Sequence, residues 1–123
     1  MSKPPKTRNN GQWSEARFQS FIKSLLRKGS QRWGPVNSTK KAAWVERGKY
    51  LCADCQQVVP LTANGKKNVF VDHIEPIIPV TGFTTWDDCI ERMFCEVENL
   101  QLLCSDCHSK KTAQEREERK KYK

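Results

Sequence analysis

Apolar residues recur at helical spacing in two segments of the chain. The first segment begins at Ser14-Glu15, a plausible helix start, and ends at Gly29, a typical helix stop. Its apolar residues are Phe18, Phe21, Ile22, Leu25 and Leu26. In the second, they follow Thr85, a typical N-cap residue; they are Trp86, Ile90, Met93 and Phe94. The pattern predicts one helix from Ser14 to Gly29 and another over residues 85–94.

Short runs rich in β-branched residues predict a hairpin in the middle of the chain. Val58–Leu61 and Val69–Val71 flank Asn64-Gly65, a dipeptide typical of two-residue hairpin turns. The second strand of this predicted hairpin continues directly into Asp72-His73. Pro76 and Pro79 then favour a loop.

The remaining segments are weaker in pattern. Residues 30–40 contain Gly34-Pro35 and are predicted to be a connection, and Lys41–Arg47 is predicted to be a short helix. A last helix is expected from Ser105 or Asp106 onward, with almost no apolar face beyond Lys110.

Composition changes this picture in two ways. Only 37% of the 123 residues are hydrophobic, so one domain with a small core is expected, and such domains often need a metal or disulfides. The net charge of +8 is uneven: about +10 over residues 1–51, −6 over 52–108 and +4 over 109–123. Basic flanks attract a phosphate backbone, and an acidic centre can hold a divalent cation. A solvated tail is the alternative for both termini.

Four of the six cysteines form two Cys-x-x-Cys pairs, which are Cys52 with Cys55 and Cys104 with Cys107. No secretory signal is visible in the polar, basic segment 1–11, so the pairs favour zinc over disulfides. A cytoplasmic protein is therefore expected, and no run of 18 apolar residues suggests a membrane span. Cys89 and Cys95 lie outside the pattern and are expected to be small buried hydrophobes.

A structural zinc site does not need Asp72, His73 or His108, although all three lie beside the cysteine pairs in sequence or in the predicted fold. These residue types suit a second, catalytic metal centre. Taken singly, the Asp-His pair could be an ordinary surface pair, and His108 could be a ligand in a Cys₃His zinc site.

In this order, the motifs resemble those of the HNH endonucleases, a branch of the ββα-metal (His-metal finger) nucleases. The resemblance is carried by Asp72–Pro76, Asn99–Cys104 and Cys107–Thr112, covers residues 52–115 well, and is looser at Arg32–Pro35, which is similar to the lead-in of phage-borne members. It implies an α+β fold: a small zinc-stapled ββα-metal core with an N-terminal helical basic extension and a polar C-terminal helix. The implied divisions are a flexible basic arm (1–12), the extension (13–50) and the nuclease domain (51–123).

The resemblance also implies roles for individual residues. His73 would be the general base, Asp72 and His108 would ligate one catalytic divalent ion such as Mg²⁺ or Mn²⁺, and Asn99 would brace the loop and orient the base. Cys52, Cys55, Cys104 and Cys107 would hold a structural zinc ion. One departure is the spacing: 25 residues separate His73 from Asn99, which is long for a compact member. The extra length leaves open which polar group completes the site.

The function implied is endonucleolytic cleavage of DNA that leaves 5′-phosphate and 3′-hydroxyl ends, in a phage or mobile-element setting with packaging or replication proteins as possible partners. Expected phosphate contacts are basic side chains of the first and last helices: Lys23, Arg27, Lys28, Lys110 and Lys111. Trp13, Trp33 and Trp44 lie among basic residues, and stacking on bases competes with packing in a small core as their role. The alternatives are a non-catalytic zinc-stabilised DNA-binding module and a zinc-stabilised protein-interaction domain.

Overall fold

The computed structural model of the protein describes residues 3–122. The chain divides between Gln31 and Arg32 into two compact units, and each is described by itself. The division expected from the sequence, into a basic arm (1–12), an extension (13–50) and a nuclease domain (51–123), stays a prediction.

The first unit is a small hairpin followed by a helix. Strands β1 (Lys6–Arg8) and β2 (Trp13–Ser14) pair antiparallel, and α1 follows at Glu15–Ser30. The Ser14 side chain accepts a hydrogen bond from the Arg17 amide and caps the helix, which confirms the predicted start. The hairpin occupies most of the segment for which a flexible arm was predicted, because its strands pair with each other.

The second unit contains the remaining elements. In chain order they are α2 (Gly34–Ala43), β3 (Trp44–Glu46), β4 (Lys49–Leu51), β5 (Val58–Pro60), β6 (Thr62–Ala63), β7 (Lys66–Lys67), β8 (Val69–His73), α3 (Trp86–Met93), a 3₁₀ turn (Val97–Asn99), β9 (Leu100–Cys104) and α4 (Ser105–Lys120). The expected mixture of helices and strands is therefore confirmed. Three separate sheets run β3-β4-β5, β6-β7 and β8-β9.

The pairing of β8 with β9 brings together residues that are far apart in sequence. The two strands are antiparallel over five residue pairs, from Val69 opposite Cys104 to His73 opposite Leu100. Leu102 and Leu103 of β9 are buried, as is Val69 of β8. The strand β9 is buried at almost every position because α2 and α4 both contact it.

The predicted hairpin is wrong in its pairing. The turn at Asn64-Gly65 exists, with both residues at positive φ as a type I′ turn requires, but it joins only the two-residue strands β6 and β7. The strand β5 pairs with β4, and β8 pairs with β9, so Val58–Leu61 and Val69–Val71 are not partners. The long-range pairing prevails because it buries the apolar residues of β9.

The prediction for residues 30–47 is also corrected. The segment expected to be a connection contains α2, with Pro35 in its first turn, where a proline needs no amide partner. The helix expected at Lys41–Arg47 ends at Ala43, because Trp44–Glu46 pairs with Lys49–Leu51 as a strand. By contrast, the helix capped by Thr85 and the last helix from Ser105 are confirmed.

Within residues 3–122, no helix is both long enough and apolar enough to cross a bilayer.

The packing of β9 yields a stability prediction. Leu102, which is 2% exposed, lies in the middle of β9, the strand that both α2 and α4 contact. Leu102→Ala is expected to lower the free energy of unfolding by about 2–5 kcal/mol in urea denaturation of the zinc-loaded protein. Val58→Ala, at a strand position that is 51% exposed, is the control and should change it by about 0.5 kcal/mol or less. Equal losses in the two variants would contradict this account of the core.

Candidate functional site

Four cysteine side chains converge where β9 passes into α4. The sulfur atoms of Cys52, Cys55, Cys104 and Cys107 all lie within 4.8 Å of one another. A zinc ion about 2.3 Å from each of four tetrahedral ligands requires sulfur separations of roughly 3.8 Å, which this cluster can supply with little movement. The donor set therefore fits a structural zinc ion.

The backbone around Cys52 favours the thiolate form of that residue. The Cys104 amide donates a hydrogen bond to the Cys52 sulfur at 3.4 Å. Burial raises the pKa of the Cys52 thiol, but hydrogen bonds from backbone amides outweigh it and bring that pKa to about 7. Burial and the neighbouring sulfurs raise the pKa of Cys107 strongly. Four thiolates so close together repel each other, and a bound cation removes that repulsion.

The first cysteine pair is fixed to the strand β9 by the backbone. The Ala53 amide donates to the Leu102 carbonyl at 2.8 Å, and the Gln56 amide donates to the Cys52 carbonyl at 3.0 Å. Gln56 has a positive φ of 60°, which closes the turn that contains Cys52 and Cys55. The turn at residues 52–56 therefore lies against β9, which brings its two cysteines close to Cys104 and Cys107 at the start of α4.

Asp72 and His108 meet on one face of the β8-β9 pair. Phe70 and Asp72 lie two positions apart on β8, so both point to the same face. The His108 ring, from the first turn of α4, stacks on the Phe70 ring with centroids 4.6 Å apart. This stacking leaves His108 Nε2 3.9 Å from Asp72 Oδ1. Asp72 is 13% exposed and His108 is 35% exposed, so the pair lies at a half-open surface.

The two oxygens of the Asp72 carboxylate have different surroundings. Oδ2 accepts a hydrogen bond from Gln101 Nε2 at 3.2 Å and pairs with Lys111 Nζ at 3.0 Å, whereas Oδ1 is the oxygen near His108. Lys111 Nζ also donates to the His73 carbonyl at 2.8 Å and lies 3.3 Å from Glu115. Gln101 and Lys111 therefore hold the carboxylate in one orientation.

His73 is oriented by a backbone carbonyl from the long insert, which is the segment 74–98 between His73 and Asn99. Its Nε2 lies 2.9 Å from the Met93 carbonyl oxygen. A carbonyl can only accept, so Nε2 carries the hydrogen, and the lone pair of the neutral ring is on Nδ1. The buried end of α3 thus selects the tautomer in which Nδ1 can accept a proton.

The end of the insert is in turn held by Trp33, just before α2. The indole Nε1–H donates to the Cys95 carbonyl at 2.7 Å, and the ring packs edge-on against Phe94 at a centroid distance of 5.6 Å. Met93 itself is fully buried. Trp33, Phe94 and Met93 therefore form one packed connection from α2 to His73.

Asn99 closes the loop that leaves β8. Its Oδ1 accepts from the Glu75 amide at 2.8 Å, and its Nδ2 donates to the Glu75 carbonyl at 3.3 Å. Its carbonyl also accepts from the Ile74 amide at 2.8 Å. A side-chain amide can accept from the N–H and donate to the C=O of the same residue. Asn99 thus fixes the two residues after His73.

The predicted phosphate contacts divide into three groups. Lys111 is engaged by Asp72, the His73 carbonyl and Glu115, so its ammonium already lies inside the site. Lys110 is exposed on α4. In the first unit, Arg27 and Lys28 are exposed in the last turn of α1, and Lys23 is half-buried.

Three groups that sequence reasoning missed take part in the site: Gln101, the Met93 carbonyl and Trp33. Gln101 lies directly opposite Asp72, but this register follows from the pairing of β8 with β9, which the sequence did not predict. For Trp33, the sequence left base stacking and core packing open, and its ring packs against Phe94. The Met93 carbonyl is a backbone atom, so no residue type in the sequence points to it. Of the unassigned cysteines, Cys89 is buried as predicted, and Cys95 is half-buried.

Comparison with known proteins identifies the segment that follows the insert. A family model described as HNH endonuclease matches residues 95–114, which include Asn99, Cys104, Cys107 and His108. A probable HNH endonuclease of Lactococcus phage SK1 is 29% identical over 87 residues, covering 64% of this chain and 85% of the relative. Together, the two matches support an HNH-family protein of phage type. No solved structure matches the chain.

The segment that matches the HNH model contains the second cysteine pair but not Asp72 or His73. The pairing of β8 with β9 is what joins those two residues to the matched segment. The HNH family suggests DNA endonuclease activity, and DNA is the substrate that the family implies.

The cysteine cluster generates a prediction on metal content. Cys104→Ser removes one of four ligands and should abolish stoichiometric zinc binding, measured by atomic absorption after dialysis. The melting temperature by circular dichroism should fall sharply, because zinc binding contributes folding free energy in small domains. Cys95→Ser, a half-buried cysteine outside the cluster, is the matched control and should retain zinc. An unchanged zinc content and melting profile in Cys104→Ser would contradict a Cys₄ site.

The contacts of Trp33 generate a second prediction. Trp33→Phe keeps an aromatic ring against Phe94 but removes the hydrogen bond to the Cys95 carbonyl, so we expect about 1–2 kcal/mol lower free energy of unfolding in urea. Trp44→Phe, at an exposed ring, is the control and should be close to neutral. If both substitutions have the same effect, the hydrogen bond contributes nothing.

Proposed function

We propose that this HNH protein is a metal-dependent DNA endonuclease, with His73 as the general base and Asp72 and His108 as ligands of one catalytic divalent ion. The observation that carries the proposal is the approach of His108 Nε2 to within 3.9 Å of Asp72 Oδ1. His73, whose basic nitrogen is Nδ1, is the next residue of β8 after Asp72. The order of β8, β9 and α4 supports the ββα-metal arrangement that the resemblance implies.

The donor atoms fit a divalent ion. Ligands at about 2.1 Å in adjacent octahedral positions lie about 3.0 Å apart, so the two donor atoms, now 3.9 Å apart, would have to approach by about 1 Å to hold one ion. A carboxylate oxygen and a neutral imidazole are both common ligands of transition-metal ions. With two protein ligands, water and phosphate oxygens would complete the coordination. When bound, the ion would supply Lewis-acid charge to the phosphate that is cleaved.

The chain's own residues account for the proton that the attack releases. A water molecule attacks phosphorus as His73 Nδ1 accepts one of its protons, and the bond from phosphorus to the 3′ oxygen breaks. The 3′ oxygen then takes a proton from solvent, so the products are a 5′-phosphate and a 3′-hydroxyl. The imidazolium cation that forms is stabilised because its Nε2–H already donates to the Met93 carbonyl.

Three side chains keep this geometry in place. Gln101 and Lys111 hold Oδ2 of Asp72, which keeps Oδ1 directed towards His108. Asn99 fixes the backbone after His73 through its two hydrogen bonds to Glu75. We propose that Asn99, Gln101 and Lys111 are positioning residues. Such preorganisation is worth much to a catalyst, because small displacements of reacting groups cost rate steeply.

In this proposal, the zinc ion at the four cysteines has a structural role. All four ligand positions would be taken by sulfur, so no open position remains for water or phosphate. The basic first unit, with Arg27 and Lys28 exposed, and the basic side chains of α4 beyond the site, with Lys110 exposed, would supply affinity for the phosphate backbone. Packaging or replication proteins of a phage are proposed partners on the resemblance alone.

Cleavage of supercoiled plasmid tests the proposal. The wild-type protein should nick or linearise the plasmid with Mg²⁺ or Mn²⁺ and should be inactive with EDTA. His73→Ala removes the proposed base and should lower the cleavage rate by at least about 100-fold, while DNA affinity in a gel-shift assay stays within about twofold. Lys110→Ala removes a proposed phosphate contact instead; it should weaken the gel-shift binding but keep metal-dependent cleavage, which shows what a loss of DNA affinity alone does.

Two results would contradict the proposal. Wild-type rates in His73→Ala would exclude this histidine as the base. Tight DNA binding by zinc-loaded protein with no cleavage under any metal, on plasmid or on phage genomic DNA, would favour the alternative, a non-catalytic zinc-stabilised DNA-binding module.

A further inference from the structure

A cavity of about 490 Å³ lies away from the proposed catalytic residues, where α2 meets the β3-β4 hairpin. It is lined by two aromatic residues, two lysines and one asparagine: Asn37, Lys40, Lys41, Trp44 and Tyr50. Its volume is within the range of about 300–1,000 Å³ typical of small-molecule sites. None of these residues takes part in the cysteine cluster or in the Asp72–His108 pair.

The lining residues are arranged by two elements. Asn37, Lys40 and Lys41 follow the helical spacing i, i+3 and i+4, so they share one face of α2. Trp44 is the residue at which the helix ends and β3 begins, and its strand partner is Tyr50 of β4. Directly opposite residues on paired strands lie side by side, so the two aromatic rings form one wall.

Trp44 differs from the other tryptophans of the chain. Trp13 packs on Phe21, Trp33 on Phe94 and Trp86 on Phe83, with centroid distances from 5.0 to 5.6 Å. Trp44 is 55% exposed, although it opens into a cavity where apolar surface could be covered. A large exposed aromatic ring in a cavity is typical of a surface that receives a planar ligand.

The charge of the cavity is positive. Lys40 and Lys41 line it, and none of the five lining residues is acidic. The Lys40 ammonium lies 5.7 Å from the centroid of the Tyr50 ring, so this charge is held at the aromatic wall. Asn37 adds an amide that can both donate and accept. A planar ring, a negative charge and a polar edge occur together in a nucleotide.

We propose that this cavity binds an unpaired nucleotide of DNA, with the base stacked on Trp44 and its phosphate near Lys40 and Lys41. The choice of DNA rests on the proposed function. The base must be unpaired because neighbouring base pairs cover both faces of every base within a duplex. The cavity is therefore a second nucleic-acid site, separate from the cleavage site, which selects a strand that is already single or locally opened.

Fluorescence anisotropy with two labelled probes of the same length tests the proposal. One probe is a 12-nucleotide oligothymidylate, and the other is a 12-unit abasic strand with the same phosphates and no bases. The protein is zinc-loaded, carries His73→Ala, and is studied without added Mg²⁺ or Mn²⁺, so that cleavage does not consume the probe.

We expect Trp44→Ala to weaken binding of the oligothymidylate about tenfold and to leave binding of the abasic strand within about twofold, because stacking requires a base. Trp44→Phe should retain most of the affinity. The double variant Lys40→Gln and Lys41→Gln should weaken binding of both probes and reduce the salt dependence, because it removes phosphate contacts. Val45→Ala, at the adjacent exposed position that does not line the cavity, is the matched control and should bind like the parent.

The proposal is overturned if oligothymidylate affinity is unchanged in Trp44→Ala, or if Trp44→Ala loses equal affinity for the two probes. The proposal is also overturned if Trp44→Ala weakens binding of a duplex probe as much as binding of the single strand, because the site would then not require an unpaired base. The plasmid assay keeps the two proposals apart. Cleavage by the wild type without a Trp44 effect on binding refutes the cavity alone, and a Trp44 effect without cleavage refutes the nuclease alone.

Discussion

The antiparallel pairing of Val69–His73 with Leu100–Cys104 is the constraint on which the rest of the second unit depends. It joins segments separated by the whole insert and buries the apolar side chains of Leu102 and Leu103. Because side chains alternate between the two faces of a strand, a slip of one residue would turn Asp72 away from Gln101 and His108. The core and the proposed site therefore depend on the same register.

The two ends of this strand pair have different chemistry, and α4 connects them. At one end, Cys104 lies opposite Val69 and contributes to the cysteine cluster. At the other, His73 lies opposite Leu100, about 13 Å away at 3.3 Å per residue. The helix begins at the cluster and passes back along the strands, so His108 stacks on Phe70 and Lys111 donates to the His73 carbonyl. A zinc ion that holds Cys104 and Cys107 would thereby fix the rotation of the helix that presents His108.

The insert orients His73 and contacts the segment before α2. Its helix α3 ends at Met93, whose carbonyl accepts from His73, and the next residues contact Trp33. The segment before α2 is thus coupled to the tautomer of the proposed base. A histidine held in this way loses less entropy on reaching the reactive orientation, which is the usual advantage of preorganised groups. The other end of α2 forms the Trp44 cavity, so one helix contacts both proposed nucleic-acid sites.

Local signals in the sequence determined a large part of this protein. The caps at Ser14 and Thr85, the turn at Asn64-Gly65 and the start of α4 follow from side chains that act on their own neighbourhood. The spacing of the four cysteines predicted a cluster that the structure confirms as able to hold a metal. Asp72, His73 and His108 could be selected because their types and order match the HNH motif.

The tertiary structure alone decided which strands pair and which groups support the site. The partner of Val69–His73 lies beyond the insert, and its preference over Val58–Pro60 comes from buried contacts of β9 that local propensity does not record. The same holds for α2, whose sequence predicted a loop but whose helix packs on β9. The Met93 carbonyl has no signature in the sequence, because every residue carries one. Its position beside His73 depends on how the insert folds back, which only long-range packing determines.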